Sequence, residues 1–251
     1  AEGFESVRDA FAANFDQGLE TGASVCVTRD GTPVVDLWAG AADRTGRPWE
    51  RDTIVNVWST TKTMAAVAML HAADRQLIDL DAPVADLWPE FAAHGKSSVL
   101  IRHVLAHSAG LPGWDPPIEP PDLADAERVS ALLAAEELWW EPGTMSGYHA
   151  LTQGFLEGEI IRRSTGRTIG AYFRDEIAGP LGADFHIGLP ESEEGRVAEL
   201  VPPDAPLAGG TNRLTGSDTT SDIGARVLRS CPITGDEPNH RWWRAAEIPA
   251  A

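Results

Sequence analysis

The chain has 251 residues, of which 43% are hydrophobic and 23% are charged, as in an ordinary soluble globular protein. Its formal net charge of −18 argues against nucleic acid or an anionic membrane surface as a partner, because both would repel it. No apolar stretch reaches the ~18 residues that a membrane span needs, and the N-terminus lacks the pattern of a signal peptide. We therefore expect one large cytoplasmic domain over residues 1–251, with no membrane partner.

The first quarter of the chain predicts a helix followed by a β-hairpin. Apolar residues follow helical spacing over residues 4–19. Two β-rich runs then flank residues 29–31, where an Asp-Gly pair is typical of a hairpin tip. Cys26 lies in the first of these runs, ASVCVT, and is predicted to be a small buried hydrophobic residue. A disulfide between Cys26 and Cys231 stays open.

The middle of the chain is predicted to be mostly helical. A short extended segment at 54–58 leads into a helix over 59–76. Over 76–175, helical patterns alternate with connections rich in proline and glycine. The connection at 112–121 contains five prolines, so it is either a loop that borders a cleft or a surface loop without a role. Residues 202–222 are turn formers and small polar residues with little to bury.

The predicted helix at 59–76 contains one of only two lysines among the 20 basic residues of the chain. Ser59 and Lys62 are three residues apart, so their side chains lie on one face of the first turn. The helix N-terminus and an apolar setting both disfavour an ammonium ion, so the pKa of Lys62 should fall. A neutral amine can take the serine proton, which arginine cannot do, and the backbone N–H of Ser59 can face an oxyanion. The alternative is an N-cap serine beside a lysine that extends to solvent.

Scarce aromatic residues supply further candidates for the site. Only two tyrosines exist, and Tyr148 follows a turn in WWEPGTMSGYHALTQG, where a phenol near a lysine can donate to a leaving group. Tyr172 lies in an apolar helical pattern and is predicted to pack in the core. His149, Trp58 and Trp114 are candidates for the walls of a substrate pocket.

Two other patterns compete with this interpretation. AHSAG has the Ala-x-Ser-x-Gly form of a nucleophile elbow around Ser108, but an elbow requires a helix directly after the serine and LPGWDPP follows instead. His103 and His107 are four residues apart on a predicted helix, yet no third zinc ligand is evident by spacing. We therefore predict neither a metal nor an organic cofactor.

Three segments in order, WSTTK, IRHVLAHSAGLPG and WWEPGTMSGYHALTQGF, resemble the serine β-lactamase-like hydrolases. The resemblance covers roughly residues 4–200 and is strongest to the class C-like esterases, also called family VIII carboxylesterases. It implies an α+β fold, in which an antiparallel sheet flanked by helices accompanies a helical lobe at about 76–175. It also implies Ser59 as the nucleophile of an acyl-enzyme, Lys62 as its base and Tyr148 as a second proton carrier. The implied partner is a small-molecule ester.

Two departures from the family pattern bear on activity. The β-lactamase and DD-peptidase relatives usually carry Tyr-x-Asn, whereas this chain has Tyr148-His149-Ala150, which favours esters over β-lactams or peptides. Family members also carry Lys-Thr-Gly or His-x-Gly on a strand that supplies a second oxyanion donor, and neither motif follows Tyr148 here. Since RAAEIP at 244–249 resembles the segment before that strand, the chain is predicted to lack the C-terminal strands, about a third of the usual domain. Loss of one oxyanion donor typically costs about 10²–10³ in rate.

Three functions follow from these patterns. The first is hydrolysis of small carboxylic esters through an acyl-enzyme on Ser59. The second is β-lactamase or D-peptidase acyl transfer, which Ala150 disfavours. The third is a catalytically silent domain that at most binds acyl compounds. The sequence does not indicate an oligomeric state.

Overall fold

The computed structural model describes residues 1–115, 117–201, 222–231 and 233–249. The chain divides into two compact units, which consist of residues 1–56 with 191–209, and of residues 57–190 with 210–251. The predicted helical lobe lies within the second unit. A single domain over the whole chain stays a prediction.

The first unit begins with helix α1 (Glu5–Asp16) and the antiparallel hairpin of β1 (Gly22–Arg29) and β2 (Thr32–Gly40). Both tip residues, Asp30 and Gly31, have positive φ angles, of 52° and 75°. That conformation matches the right-handed twist of the two strands, which is why Asp-Gly is favoured at such a tip. The predicted helix and hairpin are confirmed.

Cys26 on β1 is exposed, so the expectation that it is buried is wrong. It pairs with Asp36 across the hairpin, and the buried hydrophobic residues of the hairpin are Val34 and Val35 on β2. Cys26 lies on the same face of β1 as Ser24 and Thr28, and all three are exposed, so the alternation in ASVCVT assigns Cys26 to the polar face. Cys231 is buried and both cysteines are free thiols, which excludes the disulfide.

A small core in the first unit joins its two chain segments. Ala42, Trp49 and Ala198 are buried together. Ile54 forms a parallel bridge with Val197, and the N–H of Ala198 donates to the carbonyl of Ile54 at 2.7 Å. These contacts explain why residues beyond 190 belong to the same unit as the hairpin.

The second unit consists of helices and the connections between them. The α-helices are α2 (Thr60–Asp74), α3 (Val84–Leu87), α4 (Ile101–Leu105), α5 (Ala126–Ala135), α6 (Thr152–Thr165), α7 (Ile169–Phe173), α8 (Gly179–Leu181), α9 (Asp222–Ser230) and α10 (Arg241–Ala245). Shorter 3-10 segments lie at Pro89–Ser98, Pro120–Ala124 and Glu237–Asn239, and a π-helical turn lies at Arg174–Ala178. A hairpin with this set of helices is an α+β fold. None of the helices in the described ranges is both long and apolar enough to cross a bilayer.

Helices α2 and α6 pack against each other in the core of the second unit. The buried face of α2 carries small residues at helical spacing, Ala65, Ala68 and Ala72. These alanines allow the larger buried side chains of α6 to approach closely. Gly166 follows the last residue of α6, and its φ of 73° is typical of a helix C-terminus. The packing fixes the direction of α2 and therefore the position of its first turn.

The proline-rich connection at 112–121 contributes to the core. Trp114 and Ile118 are buried, and the N–H of Ile118 donates to the carbonyl of Ser230 at the end of α9. The interpretation of this connection as a plain surface loop is therefore wrong. The expectation of irregular structure at 202–222 lies outside the described residues, except at its last residue, where α9 begins.

Candidate active site

The turn before α2 presents Ser59 at the surface. Trp58 has a φ of 47°, which is rare for a bulky residue, and its ring contacts the edge of Trp243 with 5.9 Å between centroids. The helix starts at once: Thr61 donates its N–H to the carbonyl of Trp58 at 2.9 Å, and Lys62 donates its N–H to that of Ser59 at 3.2 Å. Ser59 is thus held at the start of α2 while its side chain stays exposed.

Three predicted residues meet at the Ser59 hydroxyl. Lys62 donates from Nζ to Ser59 Oγ at 3.1 Å, and the Tyr148 hydroxyl donates to the same oxygen at 2.6 Å. Lys62 Nζ also lies 4.9 Å from the centroid of the Tyr148 ring. One hydroxyl oxygen is therefore within hydrogen-bonding distance of an amine and a phenol, although Tyr148 lies far from the other two residues in sequence.

Burial lowers the pKa of the amine at this site. The Lys62 side chain is only 8% exposed, and desolvation lowers its pKa from the usual 10.5 to about 8, against the opposing charge of Glu157. A lysine with such a pKa carries a useful neutral fraction close to neutral pH. Neutral Lys62 can accept a proton from the Ser59 hydroxyl, so the same hydrogen bond can run in the opposite direction.

Two histidines pack beside Tyr148 and hold the backbone next to it. The His107 ring packs against the Tyr148 ring with 4.9 Å between centroids, and His107 Nδ1 accepts the backbone N–H of His149 at 3.1 Å. The His149 ring bridges two backbone groups: Nε2 accepts the N–H of Leu111 at 3.1 Å, and Nδ1 donates to the carbonyl of Gly147. Burial lowers the pKa of His149 to about 4, so its ring is neutral and fixed in one tautomer.

The three predicted pocket-lining residues have different environments. His149 is fully buried, and Trp114 is 2% exposed and packs against Phe155 in the core. Direct substrate contact by these two is not supported, because the backbone around Tyr148 encloses one ring and the core encloses the other. Trp58 is partly exposed beside Ser59, and its role in substrate binding stays a prediction.

The competing serine and the possible metal site have no support. Ser108 follows α4 instead of a strand, and its hydroxyl donates to the carbonyl of His103 at 3.3 Å. His103 accepts the N–H of Leu100 on Nδ1, and His107 is committed to His149. Among the described residues there is no group of three or more His, Cys, Asp or Glu side chains placed to hold a metal ion.

One buried acidic residue near the site escaped the sequence analysis. Glu157 on α6 is fully buried, yet it influences the pKa of Lys62. The signal was available: the segment GFLEGEII is apolar except for two glutamates, and the first of them, Glu157, stands one helical turn after Gln153. A charged residue in a largely apolar helical segment merits a search for a partner.

A serine hydroxyl between a lysine and a tyrosine, on a fold of this kind, defines a serine β-lactamase-like protein. The sequence matches the family described as Beta-lactamase over residues 11–234. The chain therefore belongs to the Beta-lactamase family.

Relatives within the family include esterases and proteins named for β-lactam chemistry. The chain is 42% identical over 206 residues to the esterase/beta-lactamase LipL of Mycobacterium tuberculosis, which covers 80% of this chain and 47% of LipL. A solved family VIII carboxylesterase is 44% identical with a TM-score of 0.88, over 100% of this chain and 65% of that one. A penicillin-binding protein homolog from Caulobacter crescentus is 39% identical with a TM-score of 0.84, over 100% of this chain and 65% of that one. The chain thus spans about half the length of the curated relative and 65% of each solved structure.

Proposed function

We propose that this protein is a serine hydrolase that cleaves small carboxylic esters through an acyl-enzyme on Ser59. The observation that carries the proposal is the convergence of Lys62 Nζ and the Tyr148 hydroxyl on Ser59 Oγ, at 3.1 and 2.6 Å. A serine hydroxyl is a weak nucleophile near neutral pH because it is almost entirely protonated. An adjacent base with a lowered pKa activates it by accepting its proton.

In the first half-reaction, Ser59 Oγ attacks the ester carbonyl carbon while neutral Lys62 takes the hydroxyl proton. The backbone N–H of Ser59 has no hydrogen-bond acceptor among the described residues, and it can donate to the oxyanion that forms. When the carbonyl re-forms, the bond to the alkoxide breaks and the proton held by Lys62 reaches the leaving oxygen through the Tyr148 hydroxyl. The alcohol departs, and the acyl group stays on Ser59.

In the second half-reaction, a water molecule attacks the acyl carbon. The water passes its proton through the Tyr148 hydroxyl to neutral Lys62, and this proton returns to Ser59 Oγ as the acyl–oxygen bond breaks. The carboxylic acid leaves, and each protein group recovers its starting proton. The net reaction consumes one water for each ester.

β-Lactamase activity is the second candidate, because LipL is named both an esterase and a β-lactamase. Ester hydrolysis is preferred because Ala150 stands where relatives that process lactams usually have asparagine. An alanine side chain cannot make the hydrogen bonds that an amide makes to a lactam side chain.

The primary test combines covalent labelling with turnover. A fluorophosphonate probe should add one adduct to the intact mass, and the protein should hydrolyse p-nitrophenyl acetate and butyrate. Ser59→Ala should abolish both the adduct and the turnover. Turnover that survives in Ser59→Ala would remove Ser59 from the mechanism, and a folded wild-type protein that is neither labelled nor active would be a silent member of the family.

A chromogenic cephalosporin separates the two candidate activities. We expect the esters to be hydrolysed much faster than the cephalosporin. Introducing the family asparagine by Ala150→Asn should move the ratio toward the cephalosporin. A cephalosporin rate that rivals the ester rates in the wild-type chain would reverse the preference.

A further inference from the structure

We propose that the buried carboxyl of Glu157 acts on Lys62 from the core side of the site and limits the pH range in which Lys62 is a free base. Glu157 would be a positioning residue, since it acts through Lys62 and does not touch the substrate. The proposal rests on the proposed function, in which Lys62 takes the proton of Ser59.

The first observation is the environment of the carboxyl group. Glu157 is fully buried on α6, the helix that packs against α2, which carries Lys62. Neither of its carboxyl oxygens has a hydrogen-bond partner in the described part of the chain. Gln153, one turn earlier, lies close enough to favour the charged form slightly, but its Nε2 donates to the carbonyl of Leu105 at 3.1 Å. A buried carboxyl group without partners is uncommon, because burial normally demands a hydrogen bond or an ion pair.

The second observation is which charged groups face this carboxyl. The titratable or charged residues on the elements packed against α6 are Lys62, His71 and Asp74 on α2, Asp86 on α3, Arg102 and His103 on α4, Glu127 and Arg128 on α5, and Tyr172 on α7. Four of these residues are exposed: Asp86, Arg102, Glu127 and Arg128. His71 Nδ1 forms a hydrogen bond with the Tyr172 hydroxyl at 2.9 Å. Lys62 is the residue of this set whose charge affects Glu157.

Burial shifts the pKa values of the two groups toward each other. Burial raises the pKa of Glu157 to about 8, with Lys62 opposing the change, and burial lowers the pKa of Lys62 to about 8, with Glu157 opposing it. Two interacting groups with such similar pKa values titrate as a pair and share their protons.

A simple count of protonation states gives the sign of the effect. When the pair holds one proton, the ammonium–carboxylate form competes with the form in which both groups are neutral. Only a neutral Lys62 can act as the base, so every ion-paired molecule is inactive. Because a carboxyl at position 157 adds this inactive state, it lowers the fraction of neutral amine at a given pH. Its removal should move the acidic limb of the pH–rate profile to lower pH.

The test uses Glu157→Gln, which keeps the shape, and Glu157→Leu, which keeps the burial without polar atoms. Both variants should shift the acidic limb of kcat/KM for p-nitrophenyl butyrate downward by roughly one pH unit, since neither can ionise. A purely structural role would change stability or the plateau of kcat/KM and leave the midpoint of the limb in place. An unshifted limb in either active variant would overturn the proposal.

A second measurement does not depend on turnover or on folding of the Glu157 variants. Infrared difference spectroscopy of the wild-type protein should show a protonated carboxyl near neutral pH that ionises only as the pH rises. In Lys62→Met this carboxyl should stay protonated to higher pH, because the opposing ammonium is gone. A carboxyl titration that is the same in the wild type and Lys62→Met would refute the coupling. A wild-type protein without esterase activity would refute the proposed function, and the infrared titration would still decide the coupling.

Discussion

The two lysines of this chain occupy buried sites with different partners. Burial lowers the pKa of both Lys62 and Lys96. Lys96 is fully buried in the 3-10 segment Pro89–Ser98. Its Nζ donates to the backbone carbonyl of Ala93 at 2.9 Å and to that of Glu136. Lys62 donates to the hydroxyl of Ser59 instead.

The difference in partners decides what each amine can do. A carbonyl oxygen can only accept, so the two carbonyls around Lys96 always require N–H donors. A hydroxyl can donate as well as accept, so the bond between Lys62 and Ser59 survives when Lys62 loses a proton. Desolvation alone therefore does not identify a base. The chemistry of the bonded partner separates a structural lysine from one that can take a proton.

The largest expected effect comes from replacing Lys62 by arginine. Lys62→Arg keeps the positive charge but cannot act as a base, so kcat/KM for p-nitrophenyl butyrate should fall by about 10²–10⁴-fold. The matched variant Lys96→Arg should keep the activity of each folded molecule. If Lys62→Arg retained wild-type rates, the distinction between the two lysines would have no catalytic meaning.

Tyr148→Phe removes the hydroxyl that we propose as the second proton carrier at Ser59. Because the hydroxyl lies 2.6 Å from Ser59 Oγ, its loss should reduce kcat by about 10²-fold or more. Tyr148 is exposed, so the free energy of unfolding should change little. Steady-state kinetics and a urea titration of the same preparation would check both statements, and an unchanged kcat would leave Lys62 as the sole proton carrier.

Lys96→Met should show the structural role of the other lysine. It leaves the buried carbonyl of Glu136 and the carbonyl of Ala93 without this donor, and the free energy of unfolding should fall by about 1–3 kcal/mol. Urea denaturation would measure the loss, and the kinetics of the protein that stays folded should be those of the wild type. A stability close to that of the wild type would mean that the carbonyls around Lys96 find other donors.

Lys62→Met should have the opposite effect on stability. The folded-state pKa of about 8 lies below the usual 10.5, so folding disfavours the charged amine. This penalty is fully present below pH 8, falls as the pH rises from 8 to 10.5, and is absent above that range. At neutral pH the variant should therefore gain up to about 3 kcal/mol in the free energy of unfolding, while losing activity. Thermal or urea unfolding as a function of pH would test the sign, and a variant less stable than the wild type at neutral pH would contradict it.

The smallest effect is expected for Ser108→Ala. Its hydroxyl makes one long hydrogen bond, to the carbonyl of His103, whereas Lys62 donates to the hydroxyl of Ser59. Ester hydrolysis should be unchanged, and stability should fall by no more than about 1 kcal/mol. Any large loss of turnover in this variant would reopen the choice of nucleophile.

Local patterns predicted the parts of the site that depend on one element. The spacing of Ser59 and Lys62 on one helical turn determines their proximity, and the Asp-Gly pair determines the hairpin tip. Tyr148 is different, because no local rule brings residue 148 to residue 59. Only the scarcity of tyrosine and the family resemblance indicated it.

Other features depend on what covers each side chain, which the residue type alone does not show. Cys26 was assigned to the interior because cysteine is often buried, but it is exposed together with Ser24 and Thr28 on the same face of β1. His149 was assigned to a pocket wall, but both of its ring nitrogens bind backbone groups in the core. Glu157 was missed because a glutamate in a helix is normally assumed to face solvent, and its apolar neighbours in GFLEGEII were not weighed against that assumption.

The contact between Trp58 and Trp243 bears on when the site around Ser59 forms during folding. The tight bend that presents Ser59 packs against a ring from α10, close to the far end of the described chain. Contacts between such distant positions form slowly, because a long loop must close first. During refolding, helical circular dichroism should consequently recover before Ser59 becomes reactive toward a fluorophosphonate.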